Sequence, residues 1–277
     1  MLPIRRDLHF VLPAERIKDW HEQGPFITHF FNALSLLFPQ GELFFMDSVR
    51  HYRARIIDPE LKKQVQGFIG QEAMHSREHV AYNDLLQAAG LPAHTLDRRL
   101  KFILDWQKKH FPPSFNLAIT IALEHYTAML AEILLSDPSR FGDSLKGYQQ
   151  MWYWHALEET EHKAVAFDVW NRVIKPGPKR YLLRTGTMLT TTVFFWLVVF
   201  DFHLRLLIAD RKAGGHLKGF WRMLKFLYGP RGVFPRMFRP WLDYFRPGFH
   251  PWDHDNRARL ERIDGLVADV ERSYPST

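Results

Sequence analysis

Apolar residues recur every three or four positions along most of the chain, which is the spacing of one face of an α-helix. Proline and glycine interrupt this pattern and divide the first part of the chain into four long predicted helices. These span residues 42–57, 58–89, 112–135 and 143–173. The sequence has no alternating pattern typical of a β-strand and no repeat of solenoid period. The pattern therefore predicts an all-helical protein.

The C-terminal part of the chain differs in charge. Residues 175–246 contain fourteen Lys and Arg against three Asp, a net charge of +11, although the whole chain carries +7. Within them, residues 185–200 are uncharged and flanked by cations. Sixteen helical residues reach about 24 Å, less than the roughly 30 Å of bilayer hydrocarbon, so a buried core helix and a helix contacting a bilayer surface both fit. A short amphipathic helix is predicted at residues 255–273, capped by Asp253 or Asp255.

Composition excludes several classes of protein. With 46% hydrophobic and 15% aromatic residues the chain is not disordered. The absence of cysteine excludes disulfides, thiolate zinc sites and iron–sulfur clusters, so a metal would need histidine and carboxylate ligands. The first residues lack the apolar stretch of a signal peptide, which predicts a cytoplasmic protein, either free or peripheral on the inner membrane. Mixed cationic and aromatic residues suit an anionic membrane surface and predict no nucleic-acid partner.

Six side chains with ligand chemistry fall on the four predicted helices. Two helices each carry a Glu-x-x-His pair, which places both side chains on one face, and the other two each carry a lone glutamate among apolar neighbours. A buried carboxylate without a partner is costly, so these glutamates predict a cation. Together they match the ligand set of a carboxylate-bridged di-metal site. The predicted ligands are Glu42, Glu72, His75, Glu124, Glu159 and His162.

Other readings of these residues stay open. A solvated polar face with ion pairs is the alternative for the two Glu-x-x-His pairs, and a helix dipole can explain Glu42 near a helix start. His79 and His155 are interpreted as additional ligands or as hydrogen-bond partners of ligands. Asp168 is a candidate for orienting a ligand histidine. Three further glutamates are expected to point away from the inward face, in a solvated or supporting position: Glu78, Glu158 and Glu161.

The order Glu, Glu-x-x-His, Glu, Glu-x-x-His resembles that of the ferritin-like di-iron carboxylate superfamily. More closely, the stretches GQEAMHSREH, WHALEETEHKAVAFD, PQGELFF and LEHYTA are similar to a bacterial family of predicted metal-dependent hydrolases. The resemblance covers about residues 35–175. It implies a ferritin-like four-helix bundle with an N-terminal helical extension over residues 1–175, to which residues 176–277 are appended as a basic, aromatic-rich helical segment.

The ligand types suit two iron ions, with manganese or zinc as alternatives. The resemblance to ferritin-like oxygenases and desaturases implies O2-dependent oxidation, by hydroxylation or desaturation, of a small apolar or lipid substrate, and such a reaction needs an electron donor. The buried setting favours this hypothesis. A binuclear hydrolase of an ester or phosphodiester is the second hypothesis, and a non-catalytic ferritin-like metal-binding protein is the third. A homodimer is a further expectation.

Overall fold

The computed structural model describes residues 1–210 and 217–273, and over this range the protein is all-helical, as predicted, without a β-strand. The α-helices are, in chain order, α1 Pro25–Arg50, α2 Pro59–Ala88, α3 Ala93–His110, α4 Pro113–Leu135, α5 Lys146–His162, α6 Val165–Val173, α7 Pro178–Ala209, α8 Leu217–Tyr228, α9 Val233–Asp243 and α10 Ile263–Ser273.

Proline sets the start of several helices. α2 begins at Pro59, whose fixed φ suits the first helical turn, and the Asp58 carboxylate accepts a hydrogen bond of 2.9 Å from the backbone N–H of Glu60. α4 and α7 likewise begin at Pro113 and Pro178. The predicted bounds of α2 and α4 are therefore confirmed to within a residue or two.

α1 is longer than predicted because a proline lies inside it. Pro39 was expected to precede a helix, yet α1 runs through it. Pro39 has no N–H, so the carbonyl of Ser35, four residues earlier, lacks its helical donor. The side-chain amide of Asn83 on α2 donates to that carbonyl at 3.1 Å. A bond from the neighbouring helix thus replaces the one that proline removes.

Two other segments differ from the prediction. α3 was not predicted, and it buries few residues, namely Ala93, Leu96 and Leu100. The fourth predicted helix is divided into α5 and α6 at Lys163, which is buried. The Lys163 ammonium donates to the backbone carbonyl of His254 and to Asn256 Oδ1, both at 2.7 Å. The helix break therefore anchors the C-terminal segment.

The N-terminal segment, residues 1–12, is not helical, although a helical extension was expected. It lies against α2 and α5 instead. A Cβ at Gly67 of α2 would collide with the carbonyl of Pro3, and a Cβ at Gly147 of α5 would collide with the carbonyl of Val11. These two glycines permit the close approach of the segment to both helices.

Four helices surround the centre of the protein. α1 contacts α2 and α4, and α5 contacts the same two helices. α7 packs across α1 and α4, and its side chains Met188, Val199, Phe202 and Leu206 are buried in the same hydrophobic core. The C-terminal region therefore shares this core, and the boundary at residue 175 stays a prediction.

Two helices in the described ranges are long and apolar enough to cross a membrane, α4 and α7. In α4, 78% of the apolar window is buried within the protein, compared with 22% in α7. α4 is therefore a core helix, whereas most residues in the apolar window of α7 are exposed or only partly buried. α7 has 32 residues, twice the length of the uncharged stretch at 185–200. The expected location in the cell stays a prediction.

His203 on α7 makes the stability of the fold sensitive to acid. Its Nε2–H donates to the carbonyl of Phe26 at 2.9 Å, and burial lowers its pKa to about 4. An unfolded histidine titrates near pH 6.5, so its contribution to stability is complete above that pH and is lost as the pH falls toward 4. In His203→Gln, the loss of unfolding free energy between pH 7 and pH 5 should be smaller by about 2 kcal/mol.

Urea unfolding at the two pH values measures this difference. His51→Gln, at an exposed position, is the control and should behave as the parent protein does. An unchanged pH dependence in His203→Gln would show that His203 is not responsible.

Candidate functional site

Eight histidines and glutamates from α1, α2, α4 and α5 converge between these helices, and each is at most 3% exposed. They fall into four overlapping groups, in each of which ligand atoms from three residues lie within 4.8 Å of one another. The six residues of the predicted ligand set and the two additional histidines are therefore all brought together. These eight residues, called the cluster below, are Glu42, Glu72, His75, His79, Glu124, His155, Glu159 and His162.

The Glu-x-x-His pairs of α2 and α5 lie side by side, so that each histidine is close to the glutamates of both pairs. His162 Nε2 lies 3.2 Å from Glu72 Oε1, 3.5 Å from Glu159 Oε2 and 3.8 Å from Glu124 Oε2. His75 Nδ1 lies 4.0 Å from Glu72 Oε2 and 3.8 Å from Glu159 Oε1. Each of the two paired glutamates thus turns one oxygen toward His75 and the other toward His162.

The inward atoms of the cluster have no hydrogen-bond partner in the described part of the chain. Both oxygens of Glu42, Glu72 and Glu124 are buried and unpartnered, as are His75 Nδ1 and His162 Nε2. Buried polar atoms in folded proteins are nearly always hydrogen-bonded, because an orphaned one costs about 1–3 kcal/mol. A set of orphaned oxygens and imidazole nitrogens that face one another fits a bound cation.

The other nitrogen of each of these imidazoles is held from outside the cluster. His75 Nε2–H donates to Glu158 Oε2 at 3.0 Å, and His162 Nδ1–H donates to Gln71 Oε1 at 2.9 Å. Metal-bound histidines usually donate their second N–H to a carboxylate or carbonyl oxygen, which fixes the tautomer. These two acceptors therefore fix the orientation of both rings and aim His75 Nδ1 and His162 Nε2 inward.

An arginine from the N-terminal segment balances the outer carboxylates. Arg6 donates to Glu158 Oε1 at 3.0 Å and to the two oxygens of Glu161 at 3.0 and 3.2 Å. Gln71 Nε2 also donates to Glu161, at 2.5 Å. The outer carboxylates thus have an arginine as partner, whereas the inner ones have no lysine or arginine beside them among the described residues, only the histidines of the cluster.

His79 and His155 belong to a chain of hydrogen bonds whose direction can be assigned. Because Asn83 Nδ2 donates to a carbonyl, its Oδ1 is the acceptor for the Ser35 hydroxyl, at 2.8 Å. Ser35 Oγ then accepts from His79 Nδ1–H, and His79 Nε2 accepts from His155 Nδ1–H, both at 2.9 Å. The remaining nitrogen, His155 Nε2, faces the cluster and forms a hydrogen bond of 3.1 Å with Glu159 Oε1. A third imidazole nitrogen is thereby aimed at the cluster.

Burial raises the pKa of the inner carboxyl groups. It is the main reason why the pKa values of Glu42 and Glu124 lie well above the usual range, and repulsion from Glu72 raises both further. Burial also raises the pKa of Glu72 to about 7, although His162 partly offsets it. For Glu159, burial is outweighed by the neighbouring His162, and the pKa lies well below the usual range. A divalent cation would displace the protons of the raised groups.

Asp168 does not join the cluster. It was predicted to orient a ligand histidine, but its Oδ1 lies 3.1 Å from His250 Nε2, and its side chain is 38% exposed. The helix break at Lys163 separates α6, which carries Asp168, from the last turn of α5. Glu158, expected to point away from the interior, is instead fully buried and orients His75.

The positions of the two residues that orient His75 and His162 follow a pattern in the sequence. Gln71 and Glu158 each directly precede the glutamate of a Glu-x-x-His pair, and each holds the histidine of the other helix. This reciprocal arrangement follows from the matching spacing on α2 and α5. Arg6 carries no such signal, because its contacts with Glu158 and Glu161 span more than 150 residues of chain.

An apolar cavity lies beside the cluster. His155 and Glu159 form part of its wall, and most of the remainder is aliphatic and aromatic. The cavity therefore places a mostly apolar wall, which can bind an apolar group, directly beside the polar cluster. Lining residues from four different helices include Phe38, Leu130, Trp152 and Phe226.

Removing one inner carboxylate should stabilise the metal-free protein. Glu124→Gln abolishes a buried carboxyl group whose raised pKa destabilises the fold increasingly as the pH rises above the unfolded value near 4.5. We expect a gain of about 1–3 kcal/mol at pH 8 and a smaller gain at pH 5. The variant should also lose most of the rise in Tm that Mn²⁺ or Zn²⁺ produces in the parent protein.

Thermal unfolding with and without metal at both pH values provides the test. Glu60→Gln, at an exposed glutamate of α2, is the control and should change neither quantity. A Glu124→Gln variant that is less stable than the parent without metal would mean that Glu124 has a structural partner.

The residues that accept hydrogen bonds from the cluster histidines, Glu158 and Gln71, should increase the affinity of the cluster for metal. Glu158→Ala removes the acceptor of His75 Nε2–H and should weaken metal binding about 10- to 100-fold, measured by competition with a chelator. Thr160→Ala is the matched control, because Thr160 is equally buried on α5 but bonds only to the backbone of its own helix. Equal affinities in the two variants would refute an orienting role for Glu158.

Comparison with known proteins agrees with this site. The model of a family described as predicted metal-dependent hydrolase matches residues 4–255, which include the whole cluster and extend well beyond the expected residues 35–175. No curated protein and no solved structure matches the chain. The resemblance to this family is confirmed, and membership of the ferritin-like superfamily stays a prediction. The chain belongs to the family of predicted metal-dependent hydrolases.

Proposed function

We propose that the protein is a binuclear metal-dependent hydrolase, in which α1, α2, α4 and α5 form a ferritin-like four-helix bundle around two divalent ions. One observation carries the proposal: most inward atoms of the cluster are buried without hydrogen-bond partners among the described residues, while the outward nitrogens of His75 and His162 are held in place. The proposed ligands are Glu42, Glu72, His75, Glu124, Glu159 and His162.

The arrangement of the carboxylates supports two ions over one. Glu72 and Glu159 each turn one oxygen toward His75 and the other toward His162, as bridging carboxylates would. Glu42 groups with His75, and Glu124 groups with His162, so each has the position of a ligand to a single ion. Histidine and carboxylate donors suit manganese, iron or zinc.

Two divalent ions held by such a set can activate a water molecule and stabilise the negative charge that develops on a carbonyl oxygen. In this proposal His155 borders the cavity, and with Glu159 bound to the ions its Nε2 would accept a proton from the attacking water and return it to the leaving alkoxide. His79 keeps His155 in the required tautomer. The chain thus supplies both a proton acceptor and its orientation.

The cavity favours an ester with an apolar acyl chain. Its wall is mostly aliphatic and aromatic, although Arg140 and Thr127 also line it, so a hydrocarbon chain can be buried there while its carboxyl end lies beside His155 and Glu159. A phosphodiester would place a charged group among the mostly apolar side chains of this wall, at a cost in desolvation. We therefore propose an acyl ester as the substrate class.

The family match favours hydrolysis over O2-dependent oxidation, which is the first hypothesis from the sequence. The resemblance to oxygenases rests on the ligand pattern, and a ligand pattern of this type is compatible with both reactions. A non-catalytic metal-binding role does not explain a cavity that leads to the cluster.

The test is ester hydrolysis by protein reloaded with Mn²⁺, Zn²⁺ or Fe²⁺ under argon. We expect kcat/KM for p-nitrophenyl octanoate to exceed that for the acetate at least about tenfold, since each buried methylene contributes about 0.8 kcal/mol. Glu124→Gln should be inactive, and Glu60→Gln should retain activity. Turnover that requires O2 and a reductant would contradict hydrolysis, and metal binding without either activity would support a non-catalytic protein.

A further inference from the structure

We propose that α7, α8 and α9 form a docking face for an anionic lipid bilayer. The first observation is an apolar stripe along α7. Six exposed aliphatic residues recur at intervals of four or seven positions, so they lie along one side of the helix. The stripe consists of Leu182, Leu189, Val193, Leu197, Leu204 and Ile208.

Aromatic side chains and cations alternate on α8. Phe220 and Trp221 are exposed, 46% and 60%, and they lie beside the exposed cations Lys218, Arg222 and Lys225. Aromatic rings of this kind are enriched at membrane interfaces, and adjacent cations are attracted to anionic headgroups. α8 therefore combines both elements of an interfacial helix.

α9 continues this composition next to α7 and α8. The Phe234 ring lies 4.6 Å from that of Trp196 on α7 and 4.9 Å from that of Tyr228 on α8, so the three helices adjoin. α9 exposes Phe238 and Arg239 beside these contacts. The apolar stripe and the two amphipathic helices are thus neighbours on the protein.

The charge of this region determines the partner. Between Asp210 and Asp243 the sequence has eight Lys and Arg and no acidic residue. A second copy of the chain docked on the same face would bring like charges together, which opposes a symmetric dimer there. An anionic bilayer satisfies both the cations and the apolar side chains.

The packing of α7 indicates that it lies on the bilayer without crossing it. Its opposite side is buried against α1 and α4 through Met188, Val199, Phe202 and Leu206, so lipid cannot surround it. Phe226 of α8 also lines the apolar cavity, which places the proposed face next to the proposed substrate site. This last link rests on the proposed function, whereas the docking itself does not.

Sedimentation with sucrose-loaded vesicles tests the docking. The full-length protein should bind vesicles that contain 30% phosphatidylglycerol in phosphatidylcholine, and binding should fall strongly in pure phosphatidylcholine or at high salt. The triple variant Lys218→Gln, Arg222→Gln, Lys225→Gln should bind about a hundredfold more weakly, at about fivefold per cation. Leu197→Glu, at a position 61% exposed, should bind at least about tenfold more weakly.

Matched controls exclude general effects of charge and hydrophobicity. Phe102→Glu changes an exposed residue of α3, 72% exposed, and the triple variant Arg53→Gln, Lys62→Gln, Arg98→Gln removes three exposed cations outside α7–α9. Both should bind as the parent does. Equal loss in controls and test variants, or no binding by the parent, would overturn the proposal. A parent dimer that Leu197→Glu dissociates would instead identify the face as a contact between two copies.

Because vesicle binding is measured without turnover, it is independent of ester hydrolysis. A protein that hydrolyses esters but ignores vesicles refutes the docking alone. A protein that binds vesicles but hydrolyses nothing refutes the proposed function alone.

Discussion

Carboxylates held in a dry interior are the constraint on which this structure depends. Four glutamates from four helices meet at a point where the described part of the chain provides no lysine or arginine to balance them. A short distance outward, Glu158 and Glu161 are also buried, yet Arg6 pairs with both. The described part of the protein therefore supplies an arginine for its outer carboxylates and only histidines for the inner ones. A metal centre accounts for this difference, because ions replace the missing charge without adding a side chain.

Residues of α1, α2 and α5 orient the histidines of the cluster. On α2 and α5 the residue that precedes each paired glutamate holds the histidine of the opposite helix, so the two helices position one another. On α1, Pro39 frees a backbone carbonyl that fixes the amide of Asn83. That amide sets the direction of the hydrogen bonds that run through His79 to His155. An irregularity in one helix thus determines the orientation of the Asn83 amide and, through Ser35, which nitrogen of His79 carries the proton.

Local patterns in the sequence predicted the parts of this arrangement that depend on helix periodicity. The spacing of Glu72 with His75 and of Glu159 with His162 was enough to place them on inward faces, and the apolar surroundings of Glu124 indicated burial. Contacts between distant parts of the chain could not be predicted in this way. Arg6 reaches its partners only because the N-terminal segment packs along two glycines, and no periodicity encodes that path. Asp168 was misplaced because the turn at Lys163 divides a segment that reads as one continuous helix.

The most direct test of the metal centre is the anomalous scattering of crystals of Mn²⁺-loaded protein, combined with metal analysis of the same sample. The account predicts two ions per chain, both within the cluster, with Glu72 and Glu159 between them. A single ion, an ion bound elsewhere or a cluster that stays empty at saturating Mn²⁺ would contradict it.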